Sequence, residues 1–302
     1  MPYLSARRVV KISFIVDLFD AGLSLLVVIL TGSVVMLAEF FQALADLVAV
    51  TFLLVGLKSA DKKPDKQYPF GYGKEIYFWT LISAIIMISI TATASFYFGL
   101  KRLLNPEEIN HIYLAYLVLV LALLANGYSF SLSLRRILGK KSIKNFFRVF
   151  MDSGLTATKN TFALDLMGAA AAFLGLLSLI LYQFTGALWF DGLGAMAVGM
   201  VMAIFAALLI FGVKGFLIGK RASPETEKQI KTVVMELKEV KEILELKTMQ
   251  IGPEKLLVNL DIHIKDGMST TEIEVLIDTI EEKISQVTPS AHHIQVELET
   301  PG

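Results

Sequence analysis

Apolar side chains run almost unbroken through residues 12–30, 34–57, 77–100, 112–134, 162–182 and 190–213. Each run is close to the roughly 20 residues that a helix needs to cross about 30 Å of hydrocarbon. Six such runs cannot all be hidden in a water-soluble core, so they predict six transmembrane helices. After Lys220-Arg221 the pattern breaks into short amphipathic periods. Ser223-Pro224-Glu225 offers an N-cap, a proline at the first helical position and an acid in the first turn. Val258, Leu260, Ile262 and Ile264 then alternate with Asn259, Asp261, His263 and Lys265, the period of a half-buried strand with His263 on its polar face. Ser269-Thr270-Thr271-Glu272 reads as a capping box opening an amphipathic helix through Ile273, Leu276, Ile277, Ile280, Ile284 and Val287. In a last strand Ile294, Val296 and Leu298 lie opposite Gln295, Glu297 and Glu299.

The expected fold is therefore a polytopic α-helical membrane protein. Six transmembrane helices occupy residues 1–216, and a cytoplasmic α+β domain of ferredoxin-like, metallochaperone-like type occupies 217–302. A tail of roughly 80 residues is close to the lower limit for independent stability, so dimerisation through it is expected. Composition agrees, with 55% hydrophobic and 19% charged residues. Lys and Arg gather before the first run, in the second and fourth loops and after the sixth run; the opposite side holds only Lys101 and Arg102. That asymmetry places both termini in the cytoplasm; the expected membrane is the plasma (cell inner) membrane. The N-terminal segment has no small-residue cleavage pattern and reads as retained.

A carboxylate at the bilayer centre costs at least about 2.5–3.5 kcal/mol, so acids inside spans are candidate functional groups. Asp17 and Asp20 lie in span 1, Glu39 and Asp46 in span 2 and Asp165 near the start of span 5. Glu39, Gln42 and Asp46 are spaced i, i+3, i+7 and share one helix stripe, and Thr161 lies one turn before Asp165. Two such helices side by side make a pocket of carboxylate, amide and hydroxyl oxygens, a donor set that suits Mg²⁺, Ca²⁺ and Mn²⁺. Zn²⁺ sites usually add imidazole or thiolate, but no span carries histidine and the chain has no cysteine. Simpler roles compete: Asp17 and Asp20 could pair with Arg7, Arg8 or Lys11, Glu39 could be structural or line an entrance, Lys159 could anchor a helix end, and Asn126 could bridge helices.

Along the chain the residues resemble the cation diffusion facilitator family. Thr31-Gly32-Ser33, then Leu37-Ala38-Glu39 and Ala43-Leu44-Ala45-Asp46, is similar to its signature at the first turn and span 2. Tyr68-Pro69-Phe70-Gly71-Tyr72-Gly73-Lys74-Glu75 resembles its loop before span 3, and Phe190-Asp191-Gly192-Leu193-Gly194 its opening of span 6. The resemblance implies a homodimer that exports a divalent cation in exchange for protons by alternating access. Its transport site maps to Gln42, Asp46, Thr161 and Asp165. Only two of those four are charged, and Tyr68 and Tyr72 stand where relatives carry histidines. The acid that relatives pair with Lys74 is replaced around Gly219 and Lys220. In a divergent branch without the span 5 histidine, two polar span 1 residues match Asp17 and Asp20, restoring the missing charge. His263, Glu297 and Glu299 fall at the tail positions of the family's metal ligands; a solvated strand face is the plain alternative.

The leading expectation is thus a proton-coupled transporter of Zn²⁺, Mn²⁺ or Fe²⁺, with the ion as substrate, no permanently bound cofactor, lipid around it and no nucleic-acid partner. The alternative is a non-transporting or sensor subunit of the same fold with a degenerate metal site. No nucleophile and base set, phosphate loop or paired-histidine zinc motif speaks for an enzyme.

Overall fold

A computed structural model describes residues 6–139, 156–253 and 255–300, and leaves the side chains of 6–13, 16 and 156–161 outside the described set. Six long helical segments follow the six apolar runs. They are α1 (Ala6–Thr31), α2 (Val34–Ala60), the pair α3 (Glu75–Ile86) and α4 (Thr93–Leu104), α5 (Ile112–Leu138), α6 (Thr156–Thr185) and α7 (Trp189–Ile218). The last five meet the length and apolarity of a membrane crossing over their described residues, whereas α1 carries Asp17 and Asp20 in its middle. Phe19, Ile29 and Phe211 are more than two-thirds exposed, as expected where the solvent is hydrocarbon.

A single π-helical turn, Met87–Ala92, joins α3 to α4. Hydroxyls compete for its carbonyls: Thr91 Oγ1 donates to the Met87 carbonyl at 2.7 Å, and Thr93 Oγ1 to that of Ile88, five residues back, at 2.9 Å. Small residues let neighbouring backbones approach. A Cβ added to Gly99 of α4 would sit 2.7 Å from the Gly192 carbonyl oxygen of α7, and one on Gly192 would sit 2.6 Å from that of Gly99. Gly168 of α6 lies against the Asn126 side chain of α5, whose amide donates to the Ala122 carbonyl of its own helix.

Three apolar clusters hold the helices among the described residues, the smallest packing Ile137 and Phe162 with Phe130, Leu134 and Leu166. Ala38, Ala45, Met87, Met167, Val198 and Met202 pack at mid-height. Val27, Val35, Met36, Leu119 and Leu179 pack at the end where α1 turns into α2.

The tail forms a second compact unit with the loop 59–76. It contains α8 (Pro224–Met235), β1 (Val240–Gly252), β2 (Lys255–Ile264), α9 (Thr270–Val287) and β3 (Ala291–Leu298). The sheet order is β1-β2-β3, with β1 and β2 antiparallel and β2 and β3 parallel. This α-β-β-α-β succession is a ferredoxin-like order without its first strand. Ile230, Val234, Leu260, Ile262, Ile280 and Ile284 fill its core. Both helix starts agree with the sequence reading: Ser223 caps α8 ahead of Pro224, and Ser269 and Glu272 complete a capping box on α9.

Within this unit the Gly73 backbone lies directly against Ile251 and Gly252, and the Phe70 ring meets His293 edge-on at 5.2 Å. Lys74 Nζ lies 3.4 Å from the Leu217 carbonyl oxygen.

Candidate metal centre

The α1–α2 turn sets the register of the centre. Gly32 supplies a positive φ of 66°, and Thr31 Oγ1 donates back to the Val27 carbonyl. Asp191, fully buried at the start of α7, caps the far side of the turn. It accepts from Ser33 Oγ at 2.6 Å and from the backbone N–H groups of Val34 and Val35 at 2.9 and 3.0 Å. A carboxylate at a helix N-terminus satisfies orphan donors and complements the helix dipole. Arg102 of α4 donates Nε to the same carboxylate at 3.0 Å and binds Glu107 and the Gly32 carbonyl. Asp191 is therefore a clamp that ties three spans together.

Below this clamp, α1 and α2 run antiparallel and bring their acids to one volume. Asp46 lies within electrostatic range of Asp17, Asp20, Glu39 and Asp165. Asp17 in turn senses Asp20 and Asp165. Asp165 Oδ2 accepts from Ser129 Oγ of α5 at 2.8 Å, and Ser133 Oγ lies 3.3 Å away. Neither serine stood out in the sequence; their i, i+4 spacing in a span was the available signal.

Gln42 and Glu39 are 3% and 2% exposed. Gln42 Oε1, Glu39 Oε2 and one oxygen of Asp46 have no hydrogen-bond partner. Among the described residues, none of these acids joins an ion pair. Thr161 occupies α6 one turn before Asp165, but its side chain lies outside the described residues, as do those of Arg7, Arg8, Lys11 and Lys159. Among the described residues, no three acids or histidines stand close enough to hold a metal as they are placed. The centre is a set of facing donors on four helices, not a closed cage.

In the tail, His263 Nδ1 sits 3.1 Å from the Glu299 carbonyl and Nε2 lies 3.4 Å from Lys241 Nζ. Glu297 accepts from Gln295. The strand register adds Asp261, which the sequence reading left on the polar face. Asp261 is 8% exposed with one oxygen unpartnered, and lies between Glu245 of β1 and Glu297 of β3. Three acids in one row across a sheet are mutually repulsive. Lys247 lies near that row, and its pKa is raised, first by its hydrogen bond to Glu245.

In the loop, Tyr72 donates to Asp65 at 2.7 Å, and the Tyr68 and Tyr72 rings are 4.6 Å apart. That hydrogen bond pushes the Tyr72 phenol up to about 12 and holds Asp65 below the usual carboxylate range. Aromatic packing and an Asp-anchored turn thus hold this loop.

Comparison with known proteins decides the family. The profile of the cation efflux transmembrane domain matches residues 10–214, and that of the cation efflux protein cytoplasmic domain matches 222–301. The chain belongs to the cation diffusion facilitator family. Among its relatives, the mitochondrial proton-coupled zinc antiporter SLC30A9 of Xenopus laevis is 27% identical over 87% of this chain and 47% of that protein. The manganese efflux system protein MneP of Bacillus subtilis is 24% identical over 94% of this chain and 96% of its own length. The cation-efflux pump FieF of Shewanella oneidensis is 27% identical over 85% and 81%. The chain spans about half the length of the zinc antiporters it matches.

Proposed function

We propose that this facilitator moves a divalent metal cation out of the cytoplasm in exchange for protons, by alternating access of a site between α2 and α6. The observation that carries this reading is the set of acids that three helices, α1, α2 and α6, bring within electrostatic range of one another with no cationic partner among the described residues. Such a set is costly in a membrane unless a cation or protons neutralise it in the working cycle. Asp46 and Asp165 would bind the ion, Gln42 and Thr161 would complete its shell, and Asp17 and Asp20 would supply the remaining negative charge. Protons compete with the ion for the same carboxylates, which couples the two fluxes.

The printed names of the relatives, a proton-coupled zinc antiporter and a manganese efflux protein, support this class of substrate. The oxygen-only donor set favours Mn²⁺ or Fe²⁺ over Zn²⁺. Cytoplasmic termini follow from the Lys and Arg asymmetry, and a homodimer from the small tail core.

The test is Mn²⁺ and Zn²⁺ uptake into inside-out vesicles under an imposed pH gradient. Asp46→Asn and Asp165→Asn should each cut uptake about tenfold or more, at least as much as the loss of an outer-shell partner of a metal ligand does. Undiminished uptake by both variants rejects the site. Absence of any divalent binding by calorimetry in the native chain favours the non-transporting subunit instead.

A further inference from the structure

The first two helices carry matching polar stripes in opposite directions. On α1, Asp17, Asp20 and Ser24 are spaced i, i+3, i+7; on α2, Glu39, Gln42 and Asp46 have the same spacing. Because the helices are joined by the tight Thr31-Gly32-Ser33 turn and run antiparallel, the stripes meet head to tail. Counted from Gly32, Asp17 and Asp46 stand 15 and 14 residues along their helices, and Ser24 and Glu39 stand 8 and 7. At 1.5 Å of rise per residue the ladder is about 10 Å long, too long for a single coordination shell.

Burial changes along it. Asp17, Asp20, Asp46 and Asp165 are partly exposed, whereas Gln42, Glu39 and Ser24 are 3%, 2% and 0% exposed. Ser24 Oγ, Glu39 Oε2 and Gln42 Oε1 all lack a hydrogen-bond partner, and Glu39 lies within electrostatic range of Asp20. A buried hydroxyl, amide oxygen and carboxylate left unpartnered together are expensive unless something fills their shell. The proposed use of Asp46 and Asp165 does not account for Ser24 or Glu39.

Building on the proposed transport reading, we propose that Glu39, Ser24 and Asp20 form a second position for the divalent cation. It lies about one and a half helical turns outward of the Asp46–Asp165 pair, with Gln42 shared between the two levels. It offers two carboxylates, a hydroxyl and an amide oxygen, a hard set of the Mn²⁺ and Mg²⁺ type. Beyond it Val27, Val35, Met36, Leu119 and Leu179 close the bundle. The second position is thus the last stop before the outer exit, and the ion steps from one level to the other as the bundle changes state.

Equilibrium dialysis of the full chain in nanodiscs, with Mn²⁺ and separately with Zn²⁺, tests the site itself. The Asp46→Asn/Asp165→Asn variant should retain one ion per chain more than the same variant carrying Glu39→Gln. Ions held by the tail cancel in that difference. Equal binding by the two variants overturns the second position.

Vesicle uptake tests its use. Glu39→Gln alone should lower the maximal rate about tenfold with little change in the half-saturating Mn²⁺ concentration, because a step after binding is lost. Ser24→Ala should lower it several-fold, and Glu39→Asp should recover most of it. An unchanged maximal rate in Glu39→Gln overturns the proposal, and so does a raised half-saturation at unchanged rate, which would make Glu39 part of the first position. Failure of the transport reading shows in other variants, as undiminished uptake by Asp46→Asn and Asp165→Asn.

Discussion

Asp165 shows what a single residue can and cannot reveal. Its charge inside an apolar run marks it at once, but the two hydroxyls that hold it come from α5, 36 and 32 residues away in sequence. A hydrogen bond to a charged group contributes about 1.5–3 kcal/mol, so the serines fix the direction of the carboxylate. Replacing Ser129 and Ser133 together by Ala should raise the half-saturating Mn²⁺ concentration about tenfold in vesicle uptake and leave the fold intact. Serines in spans escape notice because their hydroxyls usually bond back to their own helix, as Ser95 does to Thr91. Outside the membrane, Asp65 gives a pH prediction. Its carboxyl is lowered first by the Tyr72 hydroxyl, so this contribution to loop order is complete above the ordinary carboxylate range and is lost as pH falls through the lowered value. Tyr72→Phe should move the Asp65 titration up toward pH 4, read by NMR on carboxyl-labelled protein, with the loop loosening correspondingly earlier on acidification.

At the scale of elements, the apolar runs locate every span because hydrocarbon imposes one length and one hydrogen-bonding solution on all of them. The helices extend past the runs: the third span is helical over Glu75–Leu104 where the apolar run covers 77–100. Polar ends remain helical because the interface tolerates them. The π-turn at Met87–Ala92 left no periodic trace, since Ile, Ser and Thr in that stretch fit an α-helix equally well. The role of Asp191 was equally hidden. It looked like part of a family motif, and the structure makes it the cap of another helix and the counterion of Arg102, whose side chain is only 3% exposed. Removing one partner of a buried pair leaves an uncompensated charge, which costs about 3–5 kcal/mol. Asp191→Asn should therefore lower the melting temperature and the yield of folded protein in detergent, measured by thermal-shift size exclusion. Asp191→Glu, which keeps the charge, should lose less.

Within the helical unit, burial rises along the polar stripe of α2 from Asp46 to Glu39. Asp17, Asp46 and Asp165 are partly exposed, and above them the chain closes through Gln42 and Glu39 to an apolar plug in which Val35, Met36, Leu119 and Leu179 are fully buried. On the proposed transport reading, this apolar plug would be closed in one half of the cycle, and the other half would part it. Single-sequence patterning could not show this asymmetry, because plug residues and lipid-facing residues are the same amino acids, told apart only by which neighbours cover them. The chain contains no cysteine, so engineered thiols report without background. With pH and metal gradients absent, a membrane-impermeant maleimide should label Ser129→Cys from the proposed cytoplasmic side and leave Met36→Cys unlabelled from either side. Under an imposed proton gradient with Mn²⁺ present, Met36→Cys should gain labelling from the opposite side while Ser129→Cys loses it. Labelling of Met36→Cys that never changes with the gradients would mean that the plug is permanent packing, and the exit would then have to lie elsewhere in the bundle.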